Sequence, residues 1–231
     1  MAEKRKTFST LIQISKNVLA SPKEYFTSLE PDKTKINPYI LSLFFGLSAG
    51  IISFLLSMLN IDTLNSLSGI NIRLGAVIIM PIVAILSLFI ASGMIWILAT
   101  LFKGDNTFKT ILLVSASLQV ILPINSFFQI SYGVSPYLGY FIEVIISLYA
   151  LYLLYFAFVH TLSINEKLGK TLIITFCAVK VIWSLYDLNL GSNSAYIYYN
   201  QDKAIQQNQS EGNEGFKKAL DKYNEYIKEV E

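Results

Sequence analysis

The stretch "PYILSLFFGLSAGIISFLLSML", Pro38 to Leu59, decides the fold: 22 consecutive residues contain no Asp, Glu, Lys or Arg. At a rise of about 1.5 Å per residue, such a run crosses the hydrocarbon core of a bilayer as one helix. Lipid offers no partner to an open backbone N–H or C=O, so a helix is the conformation that satisfies this segment. Four similar runs follow it. They are "LGAVIIMPIVAILSLFIASGMIWILATLF" (Leu74 to Phe102), "TILLVSASLQVILPINSFFQI" (Thr110 to Ile130), "YLGYFIEVIISLYALYLLYFAFVHTL" (Tyr137 to Leu162) and "TLIITFCAVKVIWSLYDLNL" (Thr171 to Leu190). The fold class expected is all-α: a polytopic membrane bundle of five transmembrane helices, with amphipathic interfacial helices before it and an amphipathic helix after it.

Composition agrees. Of 231 residues, 53% are hydrophobic and 15% charged, whereas a soluble domain carries charge on about a quarter of its residues. The 34 charged residues are also unevenly placed: 11 lie in residues 1–37, 12 in 191–231, and only 11 in the 153 residues between. Three regions follow: a segment of residues 1–37, a five-span domain of 38–190 (about 38–59, 74–102, 110–130, 137–162 and 171–190), and a soluble tail of 191–231. The connections are short, so successive spans should be antiparallel neighbours in one bundle. Lys and Arg concentrate in residues 1–37 and in the 2–3 and 4–5 loops (Lys103, Lys109, Lys167, Lys170), while Arg73 alone marks the short loops of the other side. The positive-inside rule then expects the N-terminus in the cytoplasm and the C-terminus opposite. The basic beginning of the chain lacks an unbroken apolar core of signal-peptide type, so the first span is expected to act as a signal anchor.

Ahead of the first span, "SPKE" at residues 21–24 reads as a helix start. Ser21 can cap, Pro22 suits the first helical position, and Glu24 can answer back to the Ser21 amide. Upstream, Phe8, Leu11, Ile12, Val18 and Leu19 fall near helical spacing, and Tyr25, Phe26 and Leu29 continue the apolar side. Two short amphipathic helices are expected, lying flat at the interface or packed beneath the bundle. In the first span Ser42, Gly46 and Gly50 recur every fourth residue, with Ala49, Ser53 and Ser57 on an adjoining face. Small residues at this spacing let two backbones approach closely, either inside the monomer or across a homodimer seam. Pro81 and Pro123 each remove a helical hydrogen bond inside the bilayer, so the second span is expected to tilt or kink at Pro81, and Gln119, Asn125 and Gln129 are candidate partners for the carbonyls that Pro123 frees.

Glu143 and Lys180 are charges set inside spans, with Asp187 a second candidate partner for the lysine. Such groups mark an ion or proton path, a structural pair, or an interfacial anchor. His160, the only histidine, falls at a span end, where an interfacial role is expected. Cys177, the only cysteine, reads as a small packing or lipid-facing residue. No HExxH, GxSxG or Walker-type loop occurs, so no catalytic, cofactor-binding or metal site is expected. A net charge of +2 without an Arg-rich aromatic stretch argues against nucleic acid as a partner. In the tail, Phe216, Leu220, Tyr223, Ile227 and Val230 form a two-heptad apolar seam. It could meet a partner, another copy, the membrane or the chain's own outer loops.

The order of "LASPKEYF", a span opening on "NPY", Pro81, the loop "GDNTFK", "SASLQVILPI" and two final long spans resembles the Yip family. These are five-span membrane proteins named for interaction with Rab GTPases, and the likeness is nearer to prokaryotic members. It covers about residues 15–190. The acidic "DLxGP"-type segment of eukaryotic members is not visible. The resemblance implies a cytoplasmic N-terminus, a non-enzymatic role in membrane organisation or trafficking, and protein partners or self-association in the bilayer. Small-GTPase binding is implied by the resemblance alone. Against this scaffold reading stand a small transporter or channel component built on Glu143 and Lys180, and a membrane enzyme.

Overall fold

The computed structural model of the chain describes residues 2–29, 37–58, 75–104 and 107–186. The tail seam (Phe216, Leu220, Tyr223, Ile227, Val230) and Asp187 lie outside the described residues. Residues up to Ser184 form one compact unit, and nearly all of the second unit, Leu185–Glu231, lies beyond what is described.

Helix α1 (Ala2–Ala20) and helix α2 (Pro22–Thr27) precede the bundle. The first span is α3 (Pro38–Met58) and the second is α4 (Gly75–Leu101). The third, Phe108–Tyr132, is interrupted: α5 (Phe108–Leu118), α6 (Ile121–Phe128) and the start of α7 (Ile130–Val134) share it. The fourth is α8 (Pro136–Phe156), continued by a π-helical turn over Ala157–Thr161. The fifth is α9 (Glu166–Tyr186), which begins before the apolar run because Glu166 and Lys170 pair one turn apart at 2.6 Å. All five are long and apolar enough to cross a membrane.

The small residues of α3 meet α4 inside the monomer. A Cβ added at Gly46 would lie 2.8 Å from the Cα of Pro81 and 2.7 Å from the Cβ of Ala84; one at Gly50 would lie 2.7 Å from the Ala76 carbonyl oxygen. Close approach of two backbones therefore requires glycine at both positions. Ser42, Ala49, Ser53 and Ser57 are also buried, while Leu43, Leu47, Ile51 and Leu55 form an exposed ridge suited to lipid. Pro81 sits within an α4 that runs unbroken from Gly75 to Leu101.

Pro123 acts differently. It has no N–H for the Gln119 carbonyl, so Leu122 donates to that oxygen instead, at 2.9 Å, and Gln119 and Val120 donate to Ala116 and Ser117 in the same tight i→i−3 manner. The helix therefore breaks between Leu118 and Ile121. The Gln119 side chain turns outward to α4, where Nε2 donates to the Ala84 carbonyl at 2.7 Å and to Ser87 Oγ at 3.1 Å. Of the three candidates for the carbonyls freed by Pro123, Gln119 is thus committed to the neighbouring span. Residues 110–117 of α5 are all buried, which makes α5 the axis of the bundle.

Helix α4 ends in a Schellman arrangement. Lys103 takes a left-handed conformation at φ 55°, and Gly104 N–H returns to Ala99 O at 2.7 Å. Gly104 is required by contact as well, since a Cβ there would lie 2.8 Å from the Leu162 carbonyl oxygen. Thr107 then caps α5 by accepting from the Thr110 N–H.

The two N-terminal helices pack into one end of the bundle. Leu11, Ile14, Val18, Phe26 and Leu29 join the main apolar core, and Val18 and Phe26 are fully enclosed. Full burial of such a side chain from water stabilises by about 1.5–3 kcal/mol. Their outer side keeps Lys16, Lys23 and Glu24 exposed. The capping box expected at residues 21–24 is not formed. Ser21 occupies the N-cap and Pro22 the first helical turn, but the Ser21 side chain makes no capping hydrogen bond. Its N–H is already used by the Asn17 carbonyl at 2.9 Å, the last bond of α1, so Glu24 has no free amide to answer.

Candidate functional site: a charged pair between the fourth and fifth spans

Chemistry-bearing side chains inside the spans meet where α8 faces α9. Glu143 lies seven residues after the start of α8, about 10 Å in from that side of the bundle, and Lys180 of α9 meets it at that level. The Lys180 ammonium donates to Glu143 Oε1 at 3.1 Å, and the Tyr132 hydroxyl donates to Glu143 Oε2 at 2.6 Å. One carboxylate thus joins three elements: α7, α8 and α9. The side chains of Lys180 and Glu143 keep 30% and 40% of their surface exposed, so the pair is shallow rather than sealed in the core.

The sequence pointed to Glu143 and Lys180 because charges are costly inside spans. Tyr132 was missed. Its signal is positional: it stands just before the third-to-fourth turn, eleven residues from Glu143, and its ring lies against Gly139, where any Cβ would collide with it. Tyr140 adds an edge-on ring contact at 5.6 Å.

The opposite end of the bundle holds a second polar junction. Thr161 Oγ1 donates to the Phe26 carbonyl at 2.7 Å, Tyr149 Oη donates to the Leu19 carbonyl, and Tyr25 Oη shares a hydrogen bond with Ser117 Oγ at 2.7 Å. These bonds tie α1 and α2 to the third and fourth spans. Burial pushes the Tyr25 phenol up to about 12, against which the Ser117 bond works. His160 belongs to the π-helical turn and stacks on Phe156 at 5.7 Å. The turn arises because Leu162 N–H reaches Ala157 O at 3.0 Å, and it ends at Ser163 with φ 51°. It places Thr161 under the end of α2. The residues Ser42, Gly46 and Gly50 take no part in either junction; they face α4 or the bundle interior.

Comparison with curated proteins and with solved structures returned no match. The Yip1 domain matches residues 16–186, which takes in α2, all five spans and both polar junctions. The matched segment is most of the chain, and the protein belongs to the Yip1 family as an integral, multi-pass membrane protein.

Proposed function

We propose that this chain is a non-enzymatic membrane scaffold that recruits partners or shapes the bilayer through its N-terminal helices, with those helices on the cytoplasmic side. The observation that carries this reading is the way α1 and α2 are held. Three hydrogen bonds and a buried apolar side fix them to spans three and four. Their Lys16, Lys23 and Glu24 side chains point outward as a positioned surface. A segment meant only to lie on lipid needs no such fixed seat. The lysines at positions 103, 109, 167 and 170 belong to helix ends on this same side, which supports the cytoplasmic assignment.

Proximity labelling from the N-terminus of the full chain in cells tests the proposal. It should mark cytoplasmic proteins, and Lys16→Glu with Lys23→Glu should deplete the strongest of them while the protein remains folded in the membrane. Labelling of the opposite compartment would overturn the orientation. The second reading, a transporter or channel component, draws on the hydrogen-bonded row Tyr132–Glu143–Lys180. Solute or proton flux in liposomes that is abolished by Glu143→Gln and by Lys180→Met would replace the scaffold with that reading.

A further inference from the structure

Between α4, α8 and α9 lies a cavity of about 520 Å³. It runs along α8 from Ser147 to Phe158, a length of about 16 Å at 1.5 Å per residue. Ala91 and Leu98 of α4, Ala150 of α8 and Phe176 of α9 line it. Lys180 contributes to one end, but its ammonium is held by Glu143. Met94 also lines the cavity and is exposed, so the space opens sideways to the surroundings of the bundle.

Three candidate occupants can be separated on size and chemistry. Water needs two to four polar partners, and apolar cavities stay dry; here Ser147 and the engaged Lys180 are the polar residues of the wall. A helix from a second copy, about 10 Å across, occupies roughly 1,250 Å³ over the same length, more than the whole empty space of about 1090 Å³, open side included. A single hydrocarbon chain is narrow enough, is long enough to fill 16 Å, and reaches the opening from the bilayer itself. Charge then selects the headgroup. The bundle end nearest Phe158 carries Lys103, Lys167 and Lys170 against Glu166, an excess of positive charge. At the far end the one lysine among the described residues, Lys180, is already paired.

We infer that this cavity is a lipid site that takes one acyl chain of an anionic phospholipid from the leaflet on the side of α1 and α2, with the headgroup at the lysine-bearing helix ends. The chain lies between the fifth span and the rest of the bundle, and it fills space that α9 leaves open beside its charged contact with α8. The proposal concerns the membrane domain and does not depend on the scaffold reading.

The full-length protein is reconstituted in vesicles containing phosphatidylglycerol or phosphatidylcholine that carries a photoreactive diazirine on one acyl chain. After illumination, crosslinked peptides are mapped. The expected result is labelling by the phosphatidylglycerol probe of peptides that hold Met94 and Ala150, several-fold above that by the phosphatidylcholine probe. Ala150→Phe, which puts a ring into the cavity, should cut this labelling at least fivefold and leave labelling of the Leu43–Leu47 ridge unchanged. Ser147→Leu narrows the deep end and serves as the independent variant if Ala150→Phe does not fold. Equal labelling by the two lipids, or labelling that survives a folded cavity-filling variant, overturns the proposal.

Discussion

The third and fifth spans are both apolar helices of similar length, yet they live in different surroundings. In the third, 56% of the most apolar window is buried inside the molecule; in the fifth, 17% is. The first half of the third, α5, is surrounded by protein, and Ser117 and Gln119 at its end reach partners on α2 and α4. The fifth lies at the edge, with Ile174, Ile182 and Trp183 exposed, and meets α8 through Lys180. In water, an apolar face signals burial, because exposing it is costly. In lipid that signal fails, since an apolar side chain is equally at home against a neighbour or a hydrocarbon tail. What separates the two spans is where each directs its polar and small groups.

The largest effect expected concerns the tight side of this contrast. Gly46→Leu drives a side chain into the backbone of Pro81, which cannot swing aside. Overpacking typically costs about 1–3 kcal/mol and occasionally more, and contact with backbone places this site at the upper end. Loss of the monodisperse species in detergent and a lower unfolding temperature would report it. A substitution on the exposed ridge, Leu47→Ala, should leave both unchanged. If Gly46→Leu behaves like Leu47→Ala, the close α3–α4 contact is not what organises the bundle.

A middle effect is expected on the loose side. Glu143→Gln and Lys180→Met each remove one partner of a partly exposed pair, and a double-mutant cycle should give a coupling of about 1 kcal/mol or less. Cys177, half-buried on α9, supplies the readout as the only thiol. Its modification by a membrane-permeant maleimide should accelerate in either single variant as α9 separates more often from α8. An unchanged rate in both would mean that α9 is held by something other than the charged pair.

The smallest effect lies at the N-terminal junction. A phenol whose pKa is raised in the folded state contributes stability that is complete below its unfolded value and is lost as pH rises toward the folded one. For Tyr25 that window runs from its ordinary value of 10.0 to about 12. Protease access to α2 should therefore rise over this interval. Tyr25→Phe should weaken docking by about 0.5 kcal/mol at neutral pH through loss of the Ser117 bond, and it should remove the contribution of Tyr25 to the alkaline step. An identical alkaline profile in the variant would assign that step to another group.

Much of the architecture was legible in the sequence, for reasons that differ by feature. The five spans were visible because length and apolarity are all that a bilayer demands of a segment. The Ser42, Gly46 and Gly50 face was visible because small residues carry the packing signal that hydropathy cannot. The Glu143–Lys180 contact could be anticipated because few charges were available at matching depth. Other features could not be read. The Ser21 capping box matched its pattern but lost the required amide to Asn17, a competition that depends on how α1 ends. Which span would occupy the axis was hidden, because all five look alike to a hydropathy window. The cavity beside α9 was hidden as well, since it is a property of the space between helices and belongs to no segment.

The seating of the N-terminal helices has a consequence in time. Leu19 and Phe26 bond to Tyr149 and Thr161, positions 130 and 135 residues further along the chain. At about 5–20 residues per second of synthesis, roughly ten seconds pass between the appearance of α2 and that of its docking site. During this interval Val18 and Phe26 have no bundle to enter, because the fourth span has not yet been made. A segment made before any of the spans is thus among the last to be seated, and its arrival closes the end of a bundle whose first four spans are already in place.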